Sequence, residues 1–244
     1  MKHEQNQNAR LNALQGQVSL LSAKLEDNKE ALKFTSSVTP DGFDYLALGN
    51  SITLHGITDF WWGEWGMAAS ALSSDYYHKV VDRLKSKKGS DINSVAYNYH
   101  VWEVQAHDRG ETHTFLDKYL VDGIDLITLQ LSENAADLRT FSEDLESLLR
   151  YIKDKCPNAQ LVVVDDFWSA EKSAIKKAVC EKLKIGFVDL SEIRGKQEYM
   201  AGMGTVVLGA DEKEHTILHA GVASHPNDKG MTYIAEGIVG KVQR

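Results

Sequence analysis

From residue 43 onward, short apolar runs alternate with amphipathic stretches. Phe43 to Leu48, Ile92 to Asn98, Ile124 to Leu131, Gln160 to Asp166 and Gly186 to Leu190 have the length and composition of buried strands. Ala135 to Lys155 and Ala170 to Lys184 carry apolar residues at helical spacing between the later runs, and Met231 to Val242 reads as a closing helix. Repeated strand-helix-strand order predicts an α/β fold of three α/β/α layers, with a central parallel sheet of about five strands covered on both faces. Ligands of such sheets gather at the carboxyl ends of the strands. Ser51 follows the first run, Ser94 to Asn98 closes the second, Asn134 follows the third and Asp165-Asp166 ends the fourth. All of them fall on one rim.

Ahead of the sheet pattern, residues 5 to 33 read as a polar helix with Leu11, Leu14, Val18, Leu21, Leu25 and Leu32 on a seam interrupted by Asn28. The organisation expected is an N-terminal helix over residues 1–35, a linker over 36–42 and one domain over 43–244. The helix either packs on its own domain or forms a short coiled-coil stalk, which would allow a homo-oligomer.

Charge and cysteines narrow the function classes. A net charge of −8, with no lysine cluster interleaved with aromatics, opposes a nucleic-acid partner. Lys85-Ser86-Lys87-Lys88 reads as a solvated loop. Cys156 and Cys180 sit outside metal-ligand spacing and neither require nor exclude a disulfide. The N-terminus lacks the apolar core of a signal peptide, so the chain as written would stay in the cytoplasm.

The candidate chemistry starts at Gly49-Asn50-Ser51, where a buried strand ends at a glycine and a serine follows two residues later. Glycine reaches backbone angles closed to other residues, so a sharp turn there would expose the serine. A serine hydroxyl needs a base within reach, and His225, in a loop ahead of the closing helix, titrates in the right range.

Three blocks resemble the SGNH (GDSL-like) hydrolases: Gly49-Asn50-Ser51-Ile52, Leu129-Gln130-Leu131-Ser132-Glu133-Asn134, and His225-Pro226-Asn227-Asp228 with Gly230-Met231. They occur in the family's order over roughly residues 43 to 242. Asn50 stands where the family usually has aspartate, and Ser132 where it has glycine. The resemblance implies a flavodoxin-like fold, Ser51 as nucleophile and His225 as base. It also implies an oxyanion hole from the Ser51 N–H, a second-block N–H and the Asn134 amide, with Ala96 as the best choice in a block without glycine. The aspartate usual three residues before the histidine is replaced by Val222. His225 must then be oriented by a main-chain carbonyl near Val222 or by a carboxylate from elsewhere. Asp228 is better placed to cap the last helix than to serve as that acid.

Trp61, Trp62 and Trp65 follow the serine block, either as a sugar-stacking platform with one ring facing the pocket or as core. Asn50 joins them as a candidate substrate contact; Glu103 and Arg109 read first as structural ion pairs and otherwise as substrate contacts, and Asp165-Asp166 first as a helix cap or loop hydrogen bonds and otherwise as a cation site or the group that orients His225. The serine block, tryptophan run and histidine block together look most like bacterial proteins of surface-glycan deacetylation. By that resemblance the chain is extracytoplasmic and residues 5 to 33 are a stalk that has lost a membrane anchor. The expected function is a serine esterase taking a small acyl group, most plausibly acetyl, from a carbohydrate, with no metal or organic cofactor. An acyltransferase to a sugar hydroxyl, or a glycan-binding module that has lost catalysis, are the rivals.

Overall fold

The computed structural model describes residues 42–243. The expected N-terminal helix and residues 36–41 of the expected linker lie outside the described residues.

Strands β1 (Phe43–Gly49), β2 (Ile92–Asn98), β3 (Leu126–Gln130), β4 (Gln160–Val164) and β5 (Gly186–Val188) form one sheet in the order β2-β1-β3-β4-β5, every pair parallel. Their side chains alternate between two cores. Tyr45 and Ala47 of β1 join Val162 and Val164 on one face, and Leu46 and Leu48 join Ile127, Leu129 and Val163 on the other. Burial on both faces is why these strands read as continuous apolar runs.

The helices are α1 (Tyr76–Lys88), α2 (His100–Val104), α3 (Phe141–Lys155), α4 (Ala170–Leu183), α5 (Ala220–Ala223) and α6 (Asp228–Lys241). Tyr76, Val80 and Leu84 of α1 and Met231, Ile234 and Ile238 of α6 cover the first face, and Phe141, Leu145, Leu148 and Ile152 of α3 cover the second. The result is a three-layer α/β/α fold. The Asp75 carboxylate caps α1 by accepting the His78 N–H at 2.7 Å, and α1 ends at Gly89 with φ 67°. Lys85 to Lys88 form its last turn, not a loop, because Lys87 Nζ donates to the Val239 and Val242 carbonyls at the end of α6. The helix expected from Ala135 begins only at Phe141.

A short antiparallel hairpin, β6 (Val206–Leu208) and β7 (Glu214–Thr216), was not expected from the pattern. It is tied to the segment after β1 by the Leu208 N–H to the Ser70 carbonyl and the Ala210 N–H to the Trp62 carbonyl, both at 2.8 Å. In the sheet, β2 and β3 lie on opposite sides of β1, so the topological switch point falls beside the β1 tip, where α/β sheets open a crevice.

Candidate active site

Gly49 ends β1 where no side chain fits. A Cβ there would lie 1.8 Å from Thr53 Oγ1 and 2.8 Å from the Gln130 carbonyl oxygen. Its φ is not among the positive ones, so close approach, not an unusual backbone angle, requires the glycine. Beyond it the chain coils into one turn: the Thr53 and Leu54 N–H groups donate to the Asn50 carbonyl at 2.9 and 3.0 Å, and Asn50 Oδ1 accepts the Ile52 N–H at 3.0 Å. Ser51 rides on this turn above the sheet.

His225 reaches the same point from the loop between α5 and α6. Ser51 Oγ lies 2.8 Å from His225 Nε2, and His225 Nδ1 lies 2.7 Å from the Gly221 carbonyl oxygen. A carbonyl can only accept, so Nδ1 carries the ring proton and Nε2 presents its lone pair to the serine hydroxyl. Trp168 stands edge-on to the imidazole at 5.1 Å and its Nε1 donates to the Ser224 carbonyl at 3.0 Å, which steadies the loop. Burial pushes the His225 pKa down to about 4, with His55 and His219 adding to the depression and the Gly221 bond opposing it.

The opposite side of the rim is organised by Glu103, which is fully buried at the end of α2. Its Oε1 accepts from Asn50 Nδ2 at 3.0 Å, the Ser132 N–H at 2.6 Å and the Asn134 N–H at 3.2 Å, while Oε2 accepts from Asn134 Nδ2 at 2.6 Å. Asn50 Nδ2 also donates to Glu133 Oε2 at 2.7 Å. The Glu133 carboxyl is pushed up to about 8 by burial, with the Asp166 and Glu103 carboxylates adding to the shift.

Ser132 has φ 140°, a region that favours glycine. It is held there from several sides: its Oγ donates to Asp166 Oδ2 at 2.7 Å, and Lys172 Nζ donates to its carbonyl at 2.9 Å. Lys176 Nζ donates to the neighbouring Leu131 carbonyl at 2.5 Å.

A cavity of about 710 Å³ opens over Ser51, His225 and Asn134. Leu54, Ile57, Phe60 and Val104 supply apolar wall, and Phe60 stacks on His219 with ring centroids 4.6 Å apart. Among the described residues that line it, Glu64 is the one acidic side chain and none is lysine or arginine. Among the described residues, no group of three or more histidine, cysteine, aspartate or glutamate side chains is placed to hold a metal ion.

No family model matches the chain, and no curated protein matches it. Solved structures do. A catalytic mutant of Axe2, an acetylxylan esterase from Geobacillus stearothermophilus, is similar with a TM-score of 0.55 at 14% identity, over 84% of this chain and 97% of that one. A protein from Parabacteroides merdae described as a GDSL-like lipase is similar with a TM-score of 0.52 at 15% identity, over 81% of this chain and 94% of that one. TesA is similar with a TM-score of 0.51 at 14% identity, over 81% and 96% of the two chains.

This chain has the SGNH hydrolase fold.

On the SGNH fold, the first-block Ser51, third-block Asn134 and last-block His225 all reach one cavity. Other expected residues do not. Ala96 pairs with Ala47 inside the sheet, packs in the core and is absent from the cavity lining, because β2 runs on two residues further to Asn98. Asn50 is fully buried with its amide spent on Glu103 and Glu133, so it is no substrate contact, and buried Glu103 is none either. The tryptophans also face away. Backbone bridges Thr58 to Trp61 and His55 to Trp65 fold the segment so that Trp61 and Trp65 pack edge-to-face in the core while Phe60 faces the cavity. Trp62 stacks on His215 of the hairpin, with centroids 4.5 Å apart.

Arg109 is structural, donating to Asp144 at 2.8 Å and to the Trp102 carbonyl at 3.1 Å. Asp165 pairs with Arg194. Asp166 accepts the Trp168 and Ser169 N–H groups at 2.8 and 2.6 Å. Asn227, not Asp228, caps α6, and the Asp228 carboxylate accepts from the Ser70 N–H at 2.8 Å, away from His225. Sequence reasoning missed Trp168, Phe60 and His219 as parts of the site. The first lay in a strand-end motif read only for its aspartates, and the other two carry no signal before the loops are folded.

Proposed function

We propose that the chain is a serine ester hydrolase that removes a small acyl group, acetyl first among them, from a carbohydrate. The observation that carries this is the relay from Ser51 Oγ to His225 Nε2 at 2.8 Å and from Nδ1 to the Gly221 carbonyl at 2.7 Å. Ser51 Oγ attacks the ester carbonyl as its proton passes to His225 Nε2. The oxyanion is met by the Ser51 N–H and by the Asn134 amide, one of whose two N–H donors is engaged by Glu103 while the other is left for the cavity. Collapse expels the sugar alcohol, which takes the proton back from Nε2. Water then attacks the acyl carbon as it gives a proton to the same nitrogen, and collapse breaks the bond to Ser51 Oγ, which takes that proton back as the acid leaves.

The absence of lysine and arginine among the described lining residues supports a neutral substrate over a polyanionic one. The similarity in fold to an acetylxylan esterase supports the carbohydrate ester. Hydrolysis of p-nitrophenyl acetate and of a peracetylated sugar, by wild type, Ser51→Ala and His225→Ala, tests the reading. Wild type should release acetate from both, and each variant should lose roughly 10³-fold or more of kcat. Equal rates in wild type and Ser51→Ala would end the proposal.

A further inference from the structure

We infer that Glu103 is the positioning residue of this site, locking the Asn134 amide and the Ser51 turn into one unit. The inference rests on the esterase reading for its kinetic consequence, although the orientation itself does not. Glu103 joins three strand tips: Asn50 after β1, its own place after β2, and Ser132 and Asn134 after β3. A planar amide turns as a rigid body, so fixing one Asn134 N–H on Oε2 at 2.6 Å fixes where the other points. Holding the Asn134 N–H and side chain on the two oxygens of one carboxylate also restrains its rotamer. Asn50 completes the unit, because its amide Nδ2 bridges Glu103 and Glu133 while its Oδ1 accepts the Ile52 N–H of the Ser51 turn. A carboxylate at position 50 would set an acceptor against Glu103 Oε1, where Asn50 supplies a donor.

The role depends on charge type more than on shape. Glutamine has nearly the same volume, but either orientation of its amide sets an NH₂ against donors. In one it faces Asn134 Nδ2; in the other it faces Asn50 Nδ2 and the Ser132 and Asn134 N–H groups.

The test is a double-mutant cycle with a spectroscopic arm. Kinetics of Glu103→Gln, Asn134→Ala and the double variant are measured on p-nitrophenyl acetate. The Asn134 side-chain NH₂ protons are followed by ¹⁵N NMR in wild type and Glu103→Gln. A lost oxyanion donor costs about 10²–10³ in kcat, so a misaimed one in Glu103→Gln should cost roughly 10- to 100-fold with KM changed less than about threefold. In the Asn134→Ala background the same substitution should cost less than about threefold. The NH₂ proton bound to Glu103 should be displaced downfield in wild type and move upfield in Glu103→Gln.

Additive kinetic losses, or Asn134 protons that do not move, would overturn the inference. Should Glu103→Gln fail to fold, Glu103→Asp, which keeps the charge one methylene short, enters the same cycle and should show the same non-additivity. A folded wild type inert on esters whose Asn134 protons still respond would fault the esterase reading while supporting the orientation.

Discussion

His225 donates its Nδ1 N–H to the peptide carbonyl of Gly221, four residues earlier, where a triad would place a carboxylate. A carbonyl fixes the tautomer as well as a carboxylate does, but it brings no negative charge to stabilise an imidazolium. Burial therefore pushes the ring pKa down to about 4 with only the Gly221 hydrogen bond opposing it.

This sets the acid side of the rate profile. His225 serves as a base only when neutral, so kcat/KM should bend near pH 4 and not near the ordinary 6.5. Stability follows the same group. The unfolded chain takes up this proton from about pH 6.5 and the folded chain only near 4, so the unfolded state binds more protons in between. Stability contributed by neutral His225 is full above about 6.5 and lost as pH falls toward 4. A rate profile bending at 6.5 would show that the ring is hydrated in solution.

Glu133 should act with the opposite sign. Its carboxyl ionises near 4.5 when unfolded and near 8 when folded, so between these values the folded chain holds a proton that the unfolded chain has lost. Stability from this group falls as pH rises from about 4.5 to about 8. Thermal melts between about pH 6 and about pH 9 should decline in wild type and be flatter in Glu133→Gln; parallel curves would refute the assignment.

Gly49→Ala should damage both fold and activity. The new methyl would meet Thr53 Oγ1 at 1.8 Å and the Gln130 carbonyl, and overpacking of this kind costs about 1–3 kcal/mol or more. Gly110→Ala, where a Cβ meets nothing within 4 Å, is the control and should stay within about 0.5 kcal/mol of wild type. Denaturant midpoints with initial rates separate the two variants.

Phe60→Ala removes apolar wall without touching the reacting atoms. A lost aromatic contact is worth about 1 kcal/mol, so KM for an aryl or sugar ester should rise roughly fivefold with kcat little changed. A matching fall in kcat would place Phe60 closer to the chemistry than its position on the wall indicates.

Most of the sheet was legible because parallel strands buried on both faces leave apolar runs: β2 was read to both ends, and Phe43, Gln160 and Gly186 were read as strand starts. Ser51, Asn134 and His225 were legible as blocks in order. The hairpin was not, since Glu214-His215-Thr216 carries neither an apolar run nor alternation. Gly221 acts through its main chain, so no residue type announces it. Glu103 gains its place only when three strand tips converge, and its neighbours in sequence, Trp102 and Val104, give no hint of that. The tryptophan run left platform and core both open; Trp61 and Trp65 take the core reading and no tryptophan ring of the run faces the pocket, because facing depends on the two backbone bridges after Ser51, which composition does not encode.

The hairpin has one more consequence. It is anchored on the segment after β1 through the Trp62–His215 stack, it buries Val207 in the core and turns Val206 and Leu208 outward, and it supplies none of the groups tied together by Glu103 or by His225. The outward side of the hairpin thus stands apart from both the paired serine and histidine and the cavity wall. Val206 and Leu208 are positions where polar side chains can replace apolar ones, making the surface less adhesive without reaching the site.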